Sequence, residues 1–325
     1  MKRNIWLDGI MGVVVGDALG LPVQFMSREE LVEEPVTDMI GFGTFNMPAG
    51  SWSDDSSLTL ATLDSIRECD GIDYKDIMER FADWLVEGKY TPFGKSYDQG
   101  ATCIKAITNY IENPDVETCG ATGEYANGNG ALMRIMPVCL WAYKKEKLNE
   151  WTQKEALEAV HKVSALTHNH LRSQMACGIY YFMIKSILEN EGALLKRLQD
   201  GVDNAVAFYH MDNENQVQMS FYHRLMHLEE FKNTSVGKIA SSGYVVDSIE
   251  AAVWCLLNTN SLKDCLLKAV NLGYDTDTVA AIAGGLAGLY YGYKDIPEEW
   301  LGKVQKREWI EEMCNMEIKK DGLTL

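Results

Sequence analysis

The sequence predicts an all-α protein, and three observations support this fold class. Proline is scarce, with 7 in 325 residues, so long stretches contain no residue that would end a helix. Several segments repeat apolar residues at the spacing of one helix face, and no segment of useful length alternates strictly between apolar and polar residues. Neither a linker nor an internal repeat divides the chain. We therefore expect one domain over residues 1–325, built as a large orthogonal helical bundle.

Five segments show which helices cover the core and which lie inside it. Three of them, Ala156 to Leu166, Ile249 to Leu257 and Leu262 to Val270, repeat apolar residues three and four positions apart, as amphipathic helices do. The other two, Ile10 to Leu19 and Thr278 to Tyr291, are apolar on nearly every side. This pattern is typical of helices at the centre of a bundle.

Charge and cysteine usage narrow the class of protein. Acidic residues outnumber basic ones 47 to 30, giving a net charge of −17, so neither a nucleic-acid duplex nor an anionic membrane is an expected partner. The eight cysteines contain no CxxC pair and are predicted to be reduced core residues. Asp8 and Asp17 interrupt the apolar N-terminal run, which argues against a signal peptide or a membrane helix. We expect a cytoplasmic monomer.

Two acidic clusters carry the strongest chemical signal. Asp54 and Asp55 lie within Ser51–Ser56, and Asp275 and Asp277 lie within 273–278, each cluster just before an apolar helical segment. Helix capping or surface solvation could account for either cluster alone, but capping explains only one carboxylate per helix. If the clusters met, their repulsion would cost several kcal/mol, and a hard divalent cation such as Mg²⁺, Mn²⁺ or Ca²⁺ would remove it.

The segment after the second cluster suggests that the clusters do meet. Gly284, Gly285 and Gly288 lie in a helix otherwise rich in alanine, and each interior glycine costs about 0.5–1 kcal/mol relative to alanine. Close packing of the backbone at the centre of the fold would recover that cost. A central Gly/Ala-rich helix is thus predicted, with its acidic N-terminus at the heart of the protein, although a core helix without function would explain the glycines equally well.

A glycine loop and a histidine pair are weaker signals. The segment 127–134 exposes backbone N–H groups and could hold a phosphate, but a plain turn is an open alternative. No GK[ST] follows the glycines at 12, 16 and 20, so a P-loop is excluded there. His168 and His170 do not share a helix face, which argues against zinc. A ring-stacking or hydrogen-bonding role and a helix C-terminal role both remain open for them.

These pieces follow an order that resembles the ADP-ribosylglycohydrolase family. The resemblance runs from about residue 5 to about residue 293 and rests on seven short motifs, each weak alone. The motifs are Gly16–Phe25, Trp52–Ser56, Tyr97–Gly100, Gly128–Arg134, Thr167–His168, Gly243–Asp247 and Asp275–Thr278.

The resemblance implies a binuclear cleft with two Mg²⁺ (or Mn²⁺) and a hydrolase that releases ADP-ribose from an acceptor, with protein arginine favoured. Asp98 would lie close to the attacking water, with Asp55 and Asp277 as further catalytic residues. The predicted metal ligands are Ser53, Asp54, Asp55, Asp275, Asp277 and Thr278. The predicted substrate-binding residues are Gln24, Gly128, Asn129, Gly130, Ala131 and Met133, with His168 and Tyr244 near the distal ribose or adenine.

Three departures from the family pattern bear on this expectation. Ser53 and Ser56 stand where many members have threonine, which preserves a hydroxyl ligand. Gln24 stands where many have glutamate, and an amide cannot act as a general base. Tyr274 replaces a frequent aspartate. Two alternatives therefore stay open: a binuclear hydrolase of another ADP-ribosylated or nucleotide-like small molecule, and a non-catalytic ADP-ribose-binding protein.

Overall fold

The computed structural model describes residues 3–210 and 213–315. Within these ranges the chain forms 16 α-helices joined by loops and short 3₁₀ turns, and it contains isolated β-bridges but no β-strand. The predicted all-α class is confirmed. The helices are α1 (Ile5–Gly20), α2 (Arg28–Glu33), α3 (Asp54–Cys69), α4 (Tyr74–Glu87), α5 (Ala101–Glu112), α6 (Met136–Lys147), α7 (Gln153–Ala165), α8 (Leu171–Glu189), α9 (Leu194–Tyr209), α10 (Asn213–Met219), α11 (Leu228–Lys232), α12 (Val245–Leu257), α13 (Leu262–Val270), α14 (Thr276–Tyr291), α15 (Glu298–Leu301) and α16 (Arg307–Cys314).

Two central helices, α1 and α14, pack backbone to backbone in antiparallel orientation. A Cβ atom added at Gly12 would overlap the carbonyl oxygen of Gly284, and one at Gly16 would overlap that of Ala280. Larger residues at these positions would push the helices apart. The predicted reason for the glycines of α14 is therefore confirmed, and the same explanation applies to the glycines of α1.

This close packing continues to the helix end that bears the second acidic cluster. A Cβ atom at Gly20 would overlap the backbone of Asp277, so the last turn of α1 lies directly against the first turn of α14. The hydroxyl of Thr276 donates a hydrogen bond of 2.8 Å to the carbonyl of Gly20. The close approach at Gly20 thus fixes the position of the Asp277 backbone, from which its carboxylate extends.

The amphipathic segments form α7, α12 and α13, as the periodicity predicts. Helix α14 packs against α1, α8, α12 and α13, and its residues from Thr276 to Leu289 are buried. The segment Ile5–Val23 is long and apolar enough to span a membrane, which the sequence argument from Asp8 and Asp17 did not anticipate. In this structure 89% of its most apolar window is buried inside the protein, and it packs against α14 as a core helix.

The cysteines are free thiols, as predicted. Seven of them are buried and Cys69 is exposed. No disulfide therefore links elements within the described residues, and the position of the site depends on helix packing alone.

Candidate active site

The two acidic clusters meet at the base of a cleft of about 570 Å³. The hydroxyl of Thr278 donates a hydrogen bond of 3.3 Å to Oδ2 of Asp55, which lies 223 positions earlier in the chain. Asp54, Asp98 and Asp275 line the cleft, and Asp55 and Asp277 lie buried beneath it. Four carboxylates from the starts of two helices thus share one buried region, together with Asp98 from a loop.

Helix α3 presents its carboxylates because another helix satisfies its first N–H groups. Asp17 of α1 accepts hydrogen bonds from the backbone N–H of Ser53 (2.9 and 3.0 Å) and from the N–H and hydroxyl of Ser56 (2.9 and 2.6 Å). A residue at the start of a helix usually supplies such a cap itself. Here Asp17 accepts from the N–H of Ser56, the third residue of α3. The hydroxyl of Ser53 and the carboxylates of Asp54 and Asp55 therefore do not have to cap that N–H group.

Helix α14 presents the second cluster, and the glycine loop supports it. The side-chain amide of Asn129 donates a hydrogen bond of 2.6 Å to Oδ2 of Asp275 and one of 2.9 Å to the hydroxyl of Ser248. The backbone N–H of Asp275 donates to the carbonyl of Ser241 at 3.1 Å. These contacts connect α12, α14 and the glycine loop around one carboxylate.

Asp98 reaches the site from the loop that precedes α5. The hydroxyl of the preceding residue, Tyr97, donates a hydrogen bond to the carbonyl of Trp52, which places Asp98 next to the start of α3. The backbone of Asp98 has a φ of 49°, in the left-handed region that few non-glycine residues adopt. Burial raises the pKa of Asp98, and hydrogen bonding to Asp277 and Gln24 opposes that shift.

The electrostatics of the acidic residues show that the site is incomplete by itself. Burial is the main cause that raises the pKa of Asp54, Asp55 and Asp277 well above the usual range, and repulsion from neighbouring aspartates adds to it. Burial also raises the pKa of Asp17 to about 6, although hydrogen bonds from Ser56 and Ser53 oppose the shift. A positive charge in this region would favour the ionised carboxylates.

Unpaired oxygens point to the same conclusion. Oδ1 of Asp55 and Oδ2 of Asp277 are buried and have no hydrogen-bond partner, which is rare for carboxylate oxygens. A hard divalent cation takes oxygen ligands of this kind, with hydroxyls such as those of Ser53 and Thr278 alongside. Among residues 3–210 and 213–315, however, no three His, Cys, Asp or Glu side chains already converge as a metal cage. The residues fit a cation, and the binuclear centre remains a prediction.

The wall opposite the acidic clusters is formed by the glycine loop and His168. The N–H of Asn129 donates to the carbonyl of Gly243 at 3.0 Å, and the N–H of Val245 donates to the carbonyl of Asn127 at 2.9 Å. A Cβ atom at Gly130 would come within 2.9 Å of the His168 ring and 2.8 Å of the sulfur of Cys103. The glycine is needed because the ring packs directly against the loop.

Hydrogen bonding orients the ring of His168. Arg134 donates a hydrogen bond of 2.7 Å to the hydroxyl of Thr167, which in turn lies 2.8 Å from Nδ1 of His168. A hydroxyl that accepts from arginine has its own proton available for the imidazole, which favours the tautomer with Nδ1 as the acceptor and the proton on Nε2. Burial, together with the charge of Arg134, lowers the pKa of His168 to about 3. His168 is therefore a neutral donor at the cleft wall.

Two aromatic residues with unusual backbones stand at the mouth of the cleft. Phe25 (φ 71°) and Tyr274 (φ 64°) are both in the left-handed region, where a non-glycine residue costs about 1–2 kcal/mol. The N–H of Phe25 donates to the carbonyl of Tyr274 at 2.7 Å, and the N–H of Tyr274 donates to the carbonyl of Met26 at 2.7 Å. Between them and the acids lies Gln24, which is buried and whose Oε1 has no partner.

The structure brings most of the predicted site residues together, but two lie neither in the cleft lining nor among the buried residues beneath it. The residues that line the cleft include Gln24, Asp54, Asp98, Gly128, Asn129, Gly130, Met133, His168, Asp275 and Thr278, while Ser53, Asp55 and Asp277 lie beneath. Ala131 is fully buried in the 3₁₀ turn Asn129–Ala131, which directs it into the core. Tyr244 is half-buried at the start of α12, where its hydroxyl accepts a hydrogen bond from Arg172 at 3.1 Å.

Sequence reasoning missed several residues that shape the site. Asp17 had a signal, since it is a carboxylate in an otherwise apolar helix, and a buried carboxylate needs partners. Ser242 and the segment 101–103 at the start of α5 also line the cleft, and they carry no pattern that separates them from ordinary loop and helix residues. Gln99, Gly100 and Gly243 line it too; they lie within two of the seven motifs, but the motifs gave them no role. Arg134 was expected within a phosphate-holding loop. Its side chain is instead fully buried, stacked 4.6 Å above the ring of Phe81.

Comparisons with known proteins identify the family to which this helical fold, with buried aspartates beneath its cleft, belongs. Residues 3–323 match the family model described as ADP-ribosylglycohydrolase. ADP-ribosylarginine hydrolase Tri1 of Serratia proteamaculans is 30% identical over 94% of this chain and 76% of its own length. ADP-ribosyl-[dinitrogen reductase] glycohydrolase of Rhodospirillum rubrum is 31% identical over 93% of this chain and 90% of its own.

Structural comparison agrees. A solved ADP-ribosylglycohydrolase-related protein complex contains a chain that superposes with a TM-score of 0.76 at 27% identity, over 96% of both chains. The chain therefore belongs to the ADP-ribosylglycohydrolase family and is a glycohydrolase. The resemblance read from the seven motifs is confirmed.

Proposed function

We propose that this enzyme uses divalent cations, two Mg²⁺ or Mn²⁺, to release ADP-ribose from arginine side chains of modified proteins. The observation that supports this most directly is the meeting of Asp55 with Thr278, because it joins two carboxylate clusters that leave buried oxygens unpaired. Two relatives of about 30% identity are named for ADP-ribosylarginine or ADP-ribosyl-dinitrogen-reductase substrates, which favours a protein acceptor.

The proposed roles of the acidic residues follow from their positions. Ser53, Asp54 and Asp55 would hold cations from the side of α3, and Asp275, Asp277 and Thr278 from the side of α14. Bound divalent cations would orient the ribose hydroxyls and lower the pKa of a water molecule. The carboxylates around them favour the positive charge that develops at the anomeric carbon when a glycosidic bond breaks.

Asp98 is the proposed proton acceptor. It lines the cleft beside Asp54 and Asp275, and burial raises its pKa toward the range in which a carboxylate takes up a proton readily. Gln24, at the position where a glutamate is frequent in the family, cannot take a proton. Its amide hydrogen-bonds to Asp98 and Asp275, so we assign it to orienting these carboxylates.

The opposite wall is proposed to hold the ADP moiety. Small residues at 128 and 130 leave room for backbone approach, and the neutral Nε2–H of His168 supplies one hydrogen-bond donor without a competing proton equilibrium at neutral pH. Such a wall selects its ligand by shape and by the direction of hydrogen bonds more than by charge.

A substrate panel tests the proposal. Purified enzyme is incubated with arginine-linked, serine-linked and acetyl-linked ADP-ribose, with Mg²⁺, with Mn²⁺ and with a chelator, and released ADP-ribose is measured. We expect the arginine-linked substrate to be cleaved fastest and the chelator to abolish turnover. Fast chelator-resistant release would contradict the metal requirement, and a preference for another linkage would change the acceptor.

Two variants distinguish the loss of the acidic clusters from the loss of negative charge elsewhere on the protein. Asp275→Asn combined with Asp277→Asn should abolish turnover while leaving the helical circular dichroism spectrum intact, because both side chains keep their volume. Asp203→Asn changes an exposed aspartate of α9 and should leave turnover unchanged. Wild-type turnover in the double variant would show that the reaction does not use these carboxylates.

A further inference from the structure

The cleft mouth carries two exposed aromatic side chains that the fold holds at a backbone cost. Phe25 is 68% exposed and Tyr274 is 48% exposed, and both line the cleft. Each has the left-handed backbone that bulky side chains disfavour. Exposed aromatic rings contribute little to a core, so folding by itself does not account for phenylalanine and tyrosine at these two positions.

The two residues form one unit, which we call the aromatic rim. Their reciprocal backbone hydrogen bonds, Phe25 to Tyr274 and Tyr274 to Met26, join the loop after α1 to the loop before α14. Each is also the immediate neighbour of a cleft residue, Gln24 on one side and Asp275 on the other. The rim therefore adjoins the part of the cleft that holds Gln24 and the carboxylate of Asp275.

Charge at this end of the cleft favours a cationic group. Among the described residues that line the cleft there is no lysine or arginine, whereas Asp54, Asp98 and Asp275 are present. The whole chain has a net charge of −17. Aromatic faces attract planar cations, and a guanidinium group can stack on a ring while it donates hydrogen bonds to carboxylates.

We propose that the aromatic rim of Phe25 and Tyr274 receives the guanidinium group of the acceptor arginine and sets the preference for arginine-linked ADP-ribose. This inference rests on the proposed function and assigns the acceptor side of the same cleft. A neutral serine or acetyl acceptor gains no such contact with the two rings.

The experiment removes the rings without adding backbone strain. Asparagine tolerates the left-handed region, so Phe25→Asn and Tyr274→Asn remove an aromatic ring at the observed φ. Tyr274→Phe keeps the ring. Phe42→Asn is the control for loss of an exposed ring outside the cleft, because Phe42 is 63% exposed, with a φ of 68° and a ψ of −111°, and does not line the cleft.

Steady-state kinetics with arginine-linked ADP-ribose and inhibition by free ADP-ribose are measured for each protein. We expect each rim variant to lose about tenfold in kcat/KM, the size of one partly shielded cation–π contact, while the inhibition constant of free ADP-ribose stays within about twofold. Tyr274→Phe should retain more of the wild-type kcat/KM than Tyr274→Asn, because it keeps the ring, and Phe42→Asn should behave like the wild type.

Three results would overturn the inference: unchanged kcat/KM in both rim variants, an equal loss in Phe42→Asn, or a parallel weakening of free ADP-ribose. A wild-type enzyme that cleaves no arginine-linked substrate would instead remove the proposed function. In that event calorimetric titration still tests the rim. The wild type must bind ADP-ribosyl-arginine more tightly than ADP-ribose, and the rim variants must lose this difference in affinity.

Discussion

On the acidic side of the cleft, Asp55 and Asp277 each keep a buried oxygen without a partner, whereas on the opposite wall His168 is satisfied through Thr167 and Arg134. The residues of both regions are buried. The acidic side holds carboxylates that no basic side chain neutralises, and the other wall holds a neutral imidazole ring whose hydrogen bonds are satisfied. The difference indicates that the acidic side is built to receive cations and the other wall is built to present a shape.

The largest expected effect comes from Asp55→Asn. Turnover should fall by on the order of a thousandfold, since stabilisation by a bound cation is worth several kcal/mol. The free energy of unfolding without metal should change by less than about 1 kcal/mol, because the amide keeps the side-chain volume and removes one of several buried carboxylates that repel one another. An assay of released ADP-ribose measures the turnover, and thermal melting with and without Mg²⁺ measures the stability. A variant that keeps the wild-type shift in Tm with Mg²⁺ would remove the contrast between the two regions.

The pH dependence of stability tests the neutral wall. The unfolded chain protonates His168 near pH 6.5, but the folded chain does not until about pH 3, because burial and Arg134 oppose the charge and Cys103 offers no compensating anion. Stability is therefore lost as pH falls from 6.5 toward 3. At pH 4.5 the loss in free energy of unfolding should be about 2–3 kcal/mol smaller in His168→Gln than in the wild type, as measured by urea unfolding. His223→Gln, at an exposed site, should follow the wild-type slope.

The smallest of the three effects is predicted for Asp17→Asn, which tests whether α1 orders the acidic side. Loss of charge-assisted hydrogen bonds to Ser53 and Ser56 should cost about 2 kcal/mol of stability and weaken the thermal response to Mg²⁺. Asp8→Asn is the control, since Asp8 is another buried acid of α1 but accepts from the N–H of Tyr293, remote from the cleft. Equal weakening of the Mg²⁺ response in both variants would assign Asp17 a purely structural role.

Sequence reasoning found the parts of the site that are local in the chain. Asp54 and Asp55, or Asp275 and Asp277, stand within one helical turn, so each pair is visible as a motif before any folding. It could not find the cap that Asp17 provides for α3, because that contact spans 36 positions. The family resemblance put Ala131 and Tyr244 among the substrate-binding residues, but neither lines the cleft, because a helical turn directs successive side chains to different sides.

The sequence by itself determined the helices, the close packing of the Gly/Ala-rich helix α14 and the identity of the carboxylates, because periodicity, glycine content and side-chain chemistry can be read along the chain. Only the tertiary structure decided which oxygens stay unpaired, which tautomer His168 adopts and where Phe25 meets Tyr274. Those features depend on atoms brought together from distant segments. Because burial removes water there, the contacts between protein atoms alone decide which polar groups are paired.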